Sequence, residues 1–305
     1  MKKPRVSVVC IFFNEERYLT EAVESVLAQE FDDFELLLVD DGSTDTSSRI
    51  ARDYAEAHSA KIVYLEHPGH ANRGMSAARN LGFRHASGEY LAIMDGDDRW
   101  YPHKLREQVA ILDADPSIGM ACGGYRDLLT GRPERGEWFL SGHMADRPSY
   151  PPETTLRLYP LGWACSPKDP LVRREIALRV GGYEDNFPGL YEDQVFLAKI
   201  YLETGVVFSR SVWLDYRRHE DSCTARITWD DYLTTRGRFL DWFEAYLDRR
   251  AAVGADPIRR AIGRARRGLR HRLMVRVTRR LRRLGLHTLR LAGFEERYRR
   301  DSSTA

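Results

Sequence analysis

Over its first hundred residues the chain alternates short, β-rich apolar runs with stretches of helical period, and this alternation restricts the fold more than any other feature. The apolar runs are residues 5–13, 34–39, 61–65 and 90–94. Between them, residues 17–29 repeat apolar side chains at Leu19, Val23, Val26 and Leu27. Residues 45–58 and 75–85 read as further helices, the first with Asp45 or Thr44 as its N-cap. Parallel strands need a crossover long enough to return the chain, so strands spaced by such helices build βαβ units and a mostly parallel sheet.

The pattern loosens after Asp98. Helices are predicted over 105–112, 171–180 and 191–203, and strands over 118–125 and 206–212, whereas 126–165, rich in Gly, Pro and Trp, has no clear period. Trp138 and Trp163 in that region either stack on a ligand or pack in a core. From about Thr228 the chain becomes helical and then strongly basic, and no internal repeat interrupts it.

A hydrophobic fraction of 43% with 30% charged residues suits a globular protein with a sizeable core. No apolar run approaches the roughly 20 residues of a membrane helix. Met1-Lys2-Lys3 resembles the basic start of a leader, but a small-residue cleavage pattern is missing, so residues 6–13 are read as a buried first strand and the globular part as cytoplasmic. Cys10, Cys122, Cys165 and Cys223 are scattered without a C-x-x-C pair, which argues against a zinc site and a disulfide framework.

Carboxylates follow two of the strands: Asp40-Asp41 after the second, and Asp95-Gly96-Asp97-Asp98 after the fourth. In open α/β sheets, ligands bind outside the carboxyl ends of the strands. Two acidic sets at one rim repel each other unless a cation or a hydrogen-bonded ligand offsets them. Asp95-x-Asp97 sets two hard oxygen ligands on one tight loop, the kind of pair that shares Mg²⁺ or Mn²⁺ with phosphate oxygens. Asp40 is read instead as stabilising a turn or helix end.

The blocks 6–15 (VSVVCIFFNE), 38–45 (LVDDGSTD), 78–82 (ARNLG), 88–98 (GEYLAIMDGDD) and 191–194 (YEDQ) occur in an order and spacing that resembles the family-2 glycosyltransferases. The resemblance spans roughly residues 5–225 and implies the GT-A fold, a Rossmann-like α/β architecture with a mostly parallel sheet flanked by helices. It implies an inverting transfer from a nucleoside-diphosphate sugar, a UDP-sugar in the best-known members, to a glycan, lipid-linked or other hydroxyl acceptor, with Mn²⁺ or Mg²⁺ as cofactor. By the same resemblance Phe13 packs on the nucleobase with Glu15 close by, Asp41 and Arg73 reach the base, Asp95 meets ribose or metal, and Asp97 binds the metal. Asp193 becomes the general base with Glu192 second to it; the alternative for both is stabilisation of a helix N-terminus. Tyr216-Arg217-Arg218-His219 resembles a family element near the donor phosphates, and His219 is either a third metal ligand or a solvated loop histidine.

The domain boundary expected from these blocks is a GT-A domain over 1–225 and a helical, Arg-rich extension over 226–305. Residues 256–300 hold 16 Arg and three acids, so a net charge of +2 for the chain conceals a basic tail on an acidic body. Leu269, Leu273, Val277, Leu281 and Leu284 form an apolar stripe within it. That stripe either packs on the catalytic domain or lies, through 256–300, as a peripheral contact on the cytoplasmic face of the membrane. Nucleic acid is not expected, because the arginines lack interleaved aromatics. Two other classes stay open. A nucleotidyltransferase typically carries a Gly-rich basic loop after its first strand, where this chain has Phe12-Phe13-Asn14-Glu15-Glu16. A non-catalytic nucleotide- or carbohydrate-binding protein has no need of Asp193 beside Asp95 and Asp97.

Overall fold

The computed structural model describes residues 3–129, 144–158, 168–187, 189–220, 222, 225, 227–250 and 255–283. Trp138, Trp163, Cys165, Cys223 and Leu284 lie outside the described residues. Four strands, β1 (Val6–Phe12), β2 (Phe34–Asp40), β3 (Ile62–Glu66) and β4 (Tyr90–Asp95), are joined by α1 (Leu19–Leu27), α2 (Ser47–Ala57) and α3 (Met75–His85). There follow β5 (Arg99–Trp100), α4 (Lys104–Ala114), β6 (Ile118–Leu129), β7 (Pro148–Ser149) and α5 (Glu153–Leu158). The chain continues through β8 (Leu171–Arg173), α6 (Arg174–Arg179), α7 (Glu192–Tyr201), β9 (Gly205–Arg218), α8 (Trp229–Arg250) and α9 (Ala255–Arg283).

The strands form a single sheet in the order β3-β2-β1-β4-β8-β6-β9-β5, with β7 also paired to β9. β3, β2, β1 and β4 are mutually parallel, and β8 runs antiparallel to both β4 and β6. Both faces of the parallel part are covered, which is why its strands read as near-continuous apolar runs. Val9, Ile11, Leu37, Val39, Leu91 and Ile93 face Phe83 of α3 and Phe196 and Ile200 of α7. Val8, Cys10, Leu36, Leu38, Ala92 and Met94 face Leu19, Val23 and Val26 of α1 and Leu105 and Val109 of α4. Each fully buried Val, Leu or Ile contributes about 1.5–3 kcal/mol through loss of apolar surface from water. A third cluster joins Val195 and Ala198 of α7 to Phe239, Phe243 and Leu247 of α8 and to Ile258, Ile262 and Leu269 of α9.

Three sequence expectations need correction. The helix expected over 171–180 begins as β8, where Leu171 pairs with Ala92 of β4 and Ala121 of β6, and turns helical only at Arg174. A short apolar run buried on both faces has no period to separate strand from helix. β6 and β9 run on to Leu129 and Arg218 because they pair with each other to the end. β5, two residues long, carries no periodic signal at all.

Candidate active site

Strand order reverses between β1 and β4, which both leave the sheet at the same rim. Ile11 pairs with Asp95 there, and the Gly96 amide donates to the Ile11 carbonyl over 2.9 Å. A Cβ at position 96 would lie 2.7 Å from Phe12 Cβ, so glycine lets the Asp95–Asp98 loop sit against the end of β1. Beyond β1, Phe13 is 44% exposed, an aromatic face open to solvent at the rim. Asn14 adopts φ 58°, and its Oδ1 accepts from the Thr44 amide at 2.7 Å while Ser43 Oγ accepts from the Asn14 amide at 3.0 Å. The loops after β1 and β2 are therefore tied into one unit.

Asp40 and Asp41 part company. Asp40 is fully buried and accepts from the Ser43 amide at 2.8 Å, from Tyr64 at 3.0 Å and from Ser48, the turn-stabilising role expected for it. Asp41 lines the cleft and takes the amides of Arg73 and Gly74, one on each oxygen at 2.8 Å. Burial pushes its carboxyl up, against the pull of those two N–H groups. Arg73 thus meets Asp41 through its backbone; its side chain is exposed and stands outside the residues that line the cleft.

The rim carboxylates divide into two groups. Glu15, Asp97 and His219 bring one ligand atom each within 4.8 Å of one another. His219 Nε2 is 3.2 Å from Asp97 Oδ2 and 3.9 Å from Glu15 Oε2, and its buried Nδ1 has no hydrogen-bond partner among the described residues. One imidazole and two carboxylates, facing a cleft, are a donor set that fits Mn²⁺ or Mg²⁺. Asp95 falls in the other group, with Asp98 and Asp169. Burial works upward on the Asp95 carboxyl, but Arg79 at 2.7 Å and Lys168 at 3.9 Å outweigh it and hold it below the usual range. Burial, reinforced by Asp97 and Asp169, drives Asp98 well above that range. Burial and the neighbouring Asp95 lift Asp169 to about 7. Asp95 is thus engaged by Arg79 and Lys168, while Glu15, Asp97 and His219 converge on the cleft itself.

Glu192 and Asp193 open α7, preceded by Tyr191 in the left-handed region at φ 71°. Both line the cleft. Glu192 is 9% exposed, and burial together with Asp193 pushes its carboxyl up to about 7. Arg79, from α3, is 5% exposed and donates to Asp95 at 2.7 Å and to Glu192 at 3.4 Å, bridging the rim and α7. Next to it Asn80 clamps the turn before α7, donating to the Tyr183 carbonyl at 2.9 Å and accepting the Tyr183 amide at 2.8 Å.

The cleft has a volume of about 820 Å³. Of the residues named from sequence it gathers Phe13, Glu15, Asp41, Asp95, Asp97, Glu192, Asp193 and His219. Tyr216, which opens the element expected near the donor phosphates, also lines it, as do Lys168 and Tyr183, which were not expected. Lys168 Nζ sits 4.1 Å from the Tyr216 ring centroid; burial lowers its basicity, yet Asp95 leaves it well above the ordinary value. A faint signal existed for Lys168: only six of the 47 basic residues are lysine, and two others, Lys104 and Lys199, are fully buried.

The model of glycosyl transferase family 2 matches residues 7–180. The chain is 42% identical over 110 residues to EpsE of Bacillus subtilis (strain 168), named as a glycosyltransferase, a stretch covering 36% of this chain and 39% of EpsE. TuaG of the same organism, named for teichuronic acid biosynthesis, is 37% identical over 124 residues, 40% of this chain and 47% of TuaG. The matched stretch thus spans less than half the length of these relatives. Among solved structures, S. aureus TarS 1–349 in complex with UDP-GlcNAc aligns with a TM-score of 0.60 at 21% identity, covering 77% of this chain and 66% of that one. The mannosyltransferase PcManGT from Pyrobaculum calidifontis, in complex with GDP-Man and Mn²⁺, aligns with a TM-score of 0.59 at 22% identity, covering 87% and 69%. These likenesses identify the fold as GT-A. With the family match running from β1 through α6, the chain belongs to glycosyl transferase family 2.

Proposed function

We propose that the chain transfers one sugar, with inversion, from a UDP-sugar to a hydroxyl of a cell-envelope glycan, glycolipid or polysaccharide. The observation that carries this reading is the cleft at the strand-order reversal, which is lined by Phe13, Asp41, Asp95 and Asp97 together with Glu192 and Asp193. Phe13 supplies a face for the nucleobase and Asp41 a carboxylate at its edge. Glu15, Asp97 and His219 would hold Mn²⁺ or Mg²⁺. The ion, when bound, supplies positive charge that offsets the diphosphate of the donor. Lys168 adds a fixed cation on the same side, next to Asp95.

Asp193 acts as general base. The acceptor oxygen attacks the anomeric carbon from the face opposite the diphosphate, the glycosidic bond forms as the bond to the diphosphate breaks, and the acceptor proton passes to the Asp193 carboxylate. Glu192 is the more buried of the two and is partly protonated near neutral pH, so it serves better as an anchor for Arg79. The complexes of the solved neighbours, UDP-GlcNAc in one and GDP-Man with Mn²⁺ in the other, support a nucleoside-diphosphate donor. The name of TuaG supports an envelope polymer as acceptor class. The catalytic unit is proposed to span 1–225, with 226–305 as a helical extension, working on the cytoplasmic side.

A panel of UDP- and GDP-sugars, each with Mn²⁺, Mg²⁺ or chelator, tests this by calorimetric binding and by NMR of slow donor hydrolysis. Cation-dependent binding of a UDP-sugar and release of sugar with inverted configuration are expected. Retained configuration would exclude the inverting displacement. Release of pyrophosphate from a nucleoside triphosphate and a sugar phosphate would instead reveal a nucleotidyltransferase, and binding without any turnover a carbohydrate- or nucleotide-binding protein.

A further inference from the structure

The C-terminal hairpin sorts its arginines by partner. Arg259 pairs with Asp248 of α8 at 2.7 Å, and Arg266 pairs with Asp241 at 2.6 Å and Glu244 at 2.5 Å. Contacts that retreat along α8 as α9 advances mean the two helices run antiparallel. The α8 carboxylates on this seam are thereby engaged. Arg260, Arg264 and Arg267 are different: all three are exposed, and none has an ion pair among the described residues. Their spacing of four and three places them on one helical face. Residues 270–283 of the same helix add seven arginines and no acid, so α9 holds twelve arginines against Asp256 alone.

Rows of like charge on a helix are mildly destabilising, and an anionic partner reverses the sign. We propose that this face of α9 docks the protein on an anionic lipid surface. The composition of α9 favours lipid over nucleic acid. It contains no Phe, Trp or Tyr to stack on bases, while Leu273, Met274, Val275, Val277 and Leu281 are interspersed among the arginines. The contact is peripheral: no helix among the described residues is long and apolar enough to cross a membrane. Docking also concerns the cleft. α8 packs on Tyr191, whose ring lies 5.3 Å from that of Phe239 and whose hydroxyl meets Arg236 at 3.4 Å. Tyr191 immediately precedes Glu192 and Asp193, so, on the reading of Asp193 as the base, the hairpin presents the acceptor side of the cleft to a lipid-linked hydroxyl.

The test is co-sedimentation of the full chain, and of an Arg260→Gln/Arg264→Gln/Arg267→Gln variant, with vesicles of phosphatidylcholine alone or mixed with phosphatidylglycerol. Each basic residue at an anionic surface contributes about 1 kcal/mol, so the triple variant should lose roughly a hundredfold in partition onto phosphatidylglycerol vesicles. The parent should bind them more weakly as salt rises and should ignore pure phosphatidylcholine. Equal partition onto both vesicle types, or an unchanged triple variant, overturns the proposal. So does a parent that binds single-stranded RNA and leaves phosphatidylglycerol vesicles in solution. The three positions are exposed and lie outside the cleft, so donor binding should be the same in parent and variant. Donor binding measured alongside separates failure of docking from failure of the proposed reaction.

Discussion

Replacing Arg79 by Met removes a buried cation that spans the cleft. Breaking a buried ion pair from one side costs about 3–5 kcal/mol, because the remaining charge loses its compensation. Two features reduce that here. Asp95 is 28% exposed and keeps Lys168 at 3.9 Å. Glu192, already pushed up to about 7 by burial and Asp193, takes up a proton instead of staying charged. The expected loss is therefore about 2–3 kcal/mol near neutral pH. That is roughly 3–5 °C in Tm for a chain of this size.

Glu192 also gives the loss a pH signature. A carboxyl raised above its unfolded value of about 4.3 adds stability that is complete below that value and lost as pH rises through the folded one. In the parent this decline ends a little above 7, where the Glu192 carboxyl titrates. Arg79 is what pulls that value down, so its removal moves the decline to higher pH. The variant should keep losing stability there, by up to about 1.4 kcal/mol per pH unit. Urea melts of parent and variant in chelator, at about pH 6, 7.5 and 9, measure both effects. A difference under about 0.5 kcal/mol near neutral pH, or parallel pH profiles, would refute the reasoning.

Three further outcomes are expected. Asp97→Asn should abolish the cation dependence of donor binding, read by calorimetry with and without Mn²⁺; a variant that still responds to the ion removes Asp97 from the site. Asp193→Asn should bind donor within about threefold of the parent and lose roughly 10²–10⁴ in kcat, the usual contribution of a general base, and preserved turnover ends its assignment. Phe13→Ala, at a 44% exposed position, should leave the urea midpoint almost unchanged. It should weaken nucleotide binding by about 1–3 kcal/mol, the range for base–aromatic stacking, and equal affinity would dissociate Phe13 from the base.

Much of the site was legible because it sits at the ends of strands. Phe13, Asp41 and Asp95 each follow or end an apolar run whose burial is written in composition, and a residue at that place must stand at the rim. Arg73 shows where such reading stops. It lies next to Asp41 in space, but it meets that carboxylate through its backbone amide and not its guanidinium. Likewise Lys168 precedes β8, a strand too short and too buried to announce itself, so the cation it brings to Asp95 had no visible frame.

The apolar runs by themselves determined the parallel half of the sheet, since strands covered on both faces can be built from little else. They also determined which carboxylates reach the rim. Only the tertiary structure decided how those carboxylates divide. Asp97 and Asp95 are two residues apart, yet one turns to His219, 122 positions on, and the other to Arg79, 16 positions back. Nearby side chains on a tight loop leave it in different directions, and the partners they meet arrive from separate elements, His219 just after β9 and Arg79 on α3. Electrostatic pairing falls off over a few ångströms, so it is settled by where those elements pack and not by spacing along the chain.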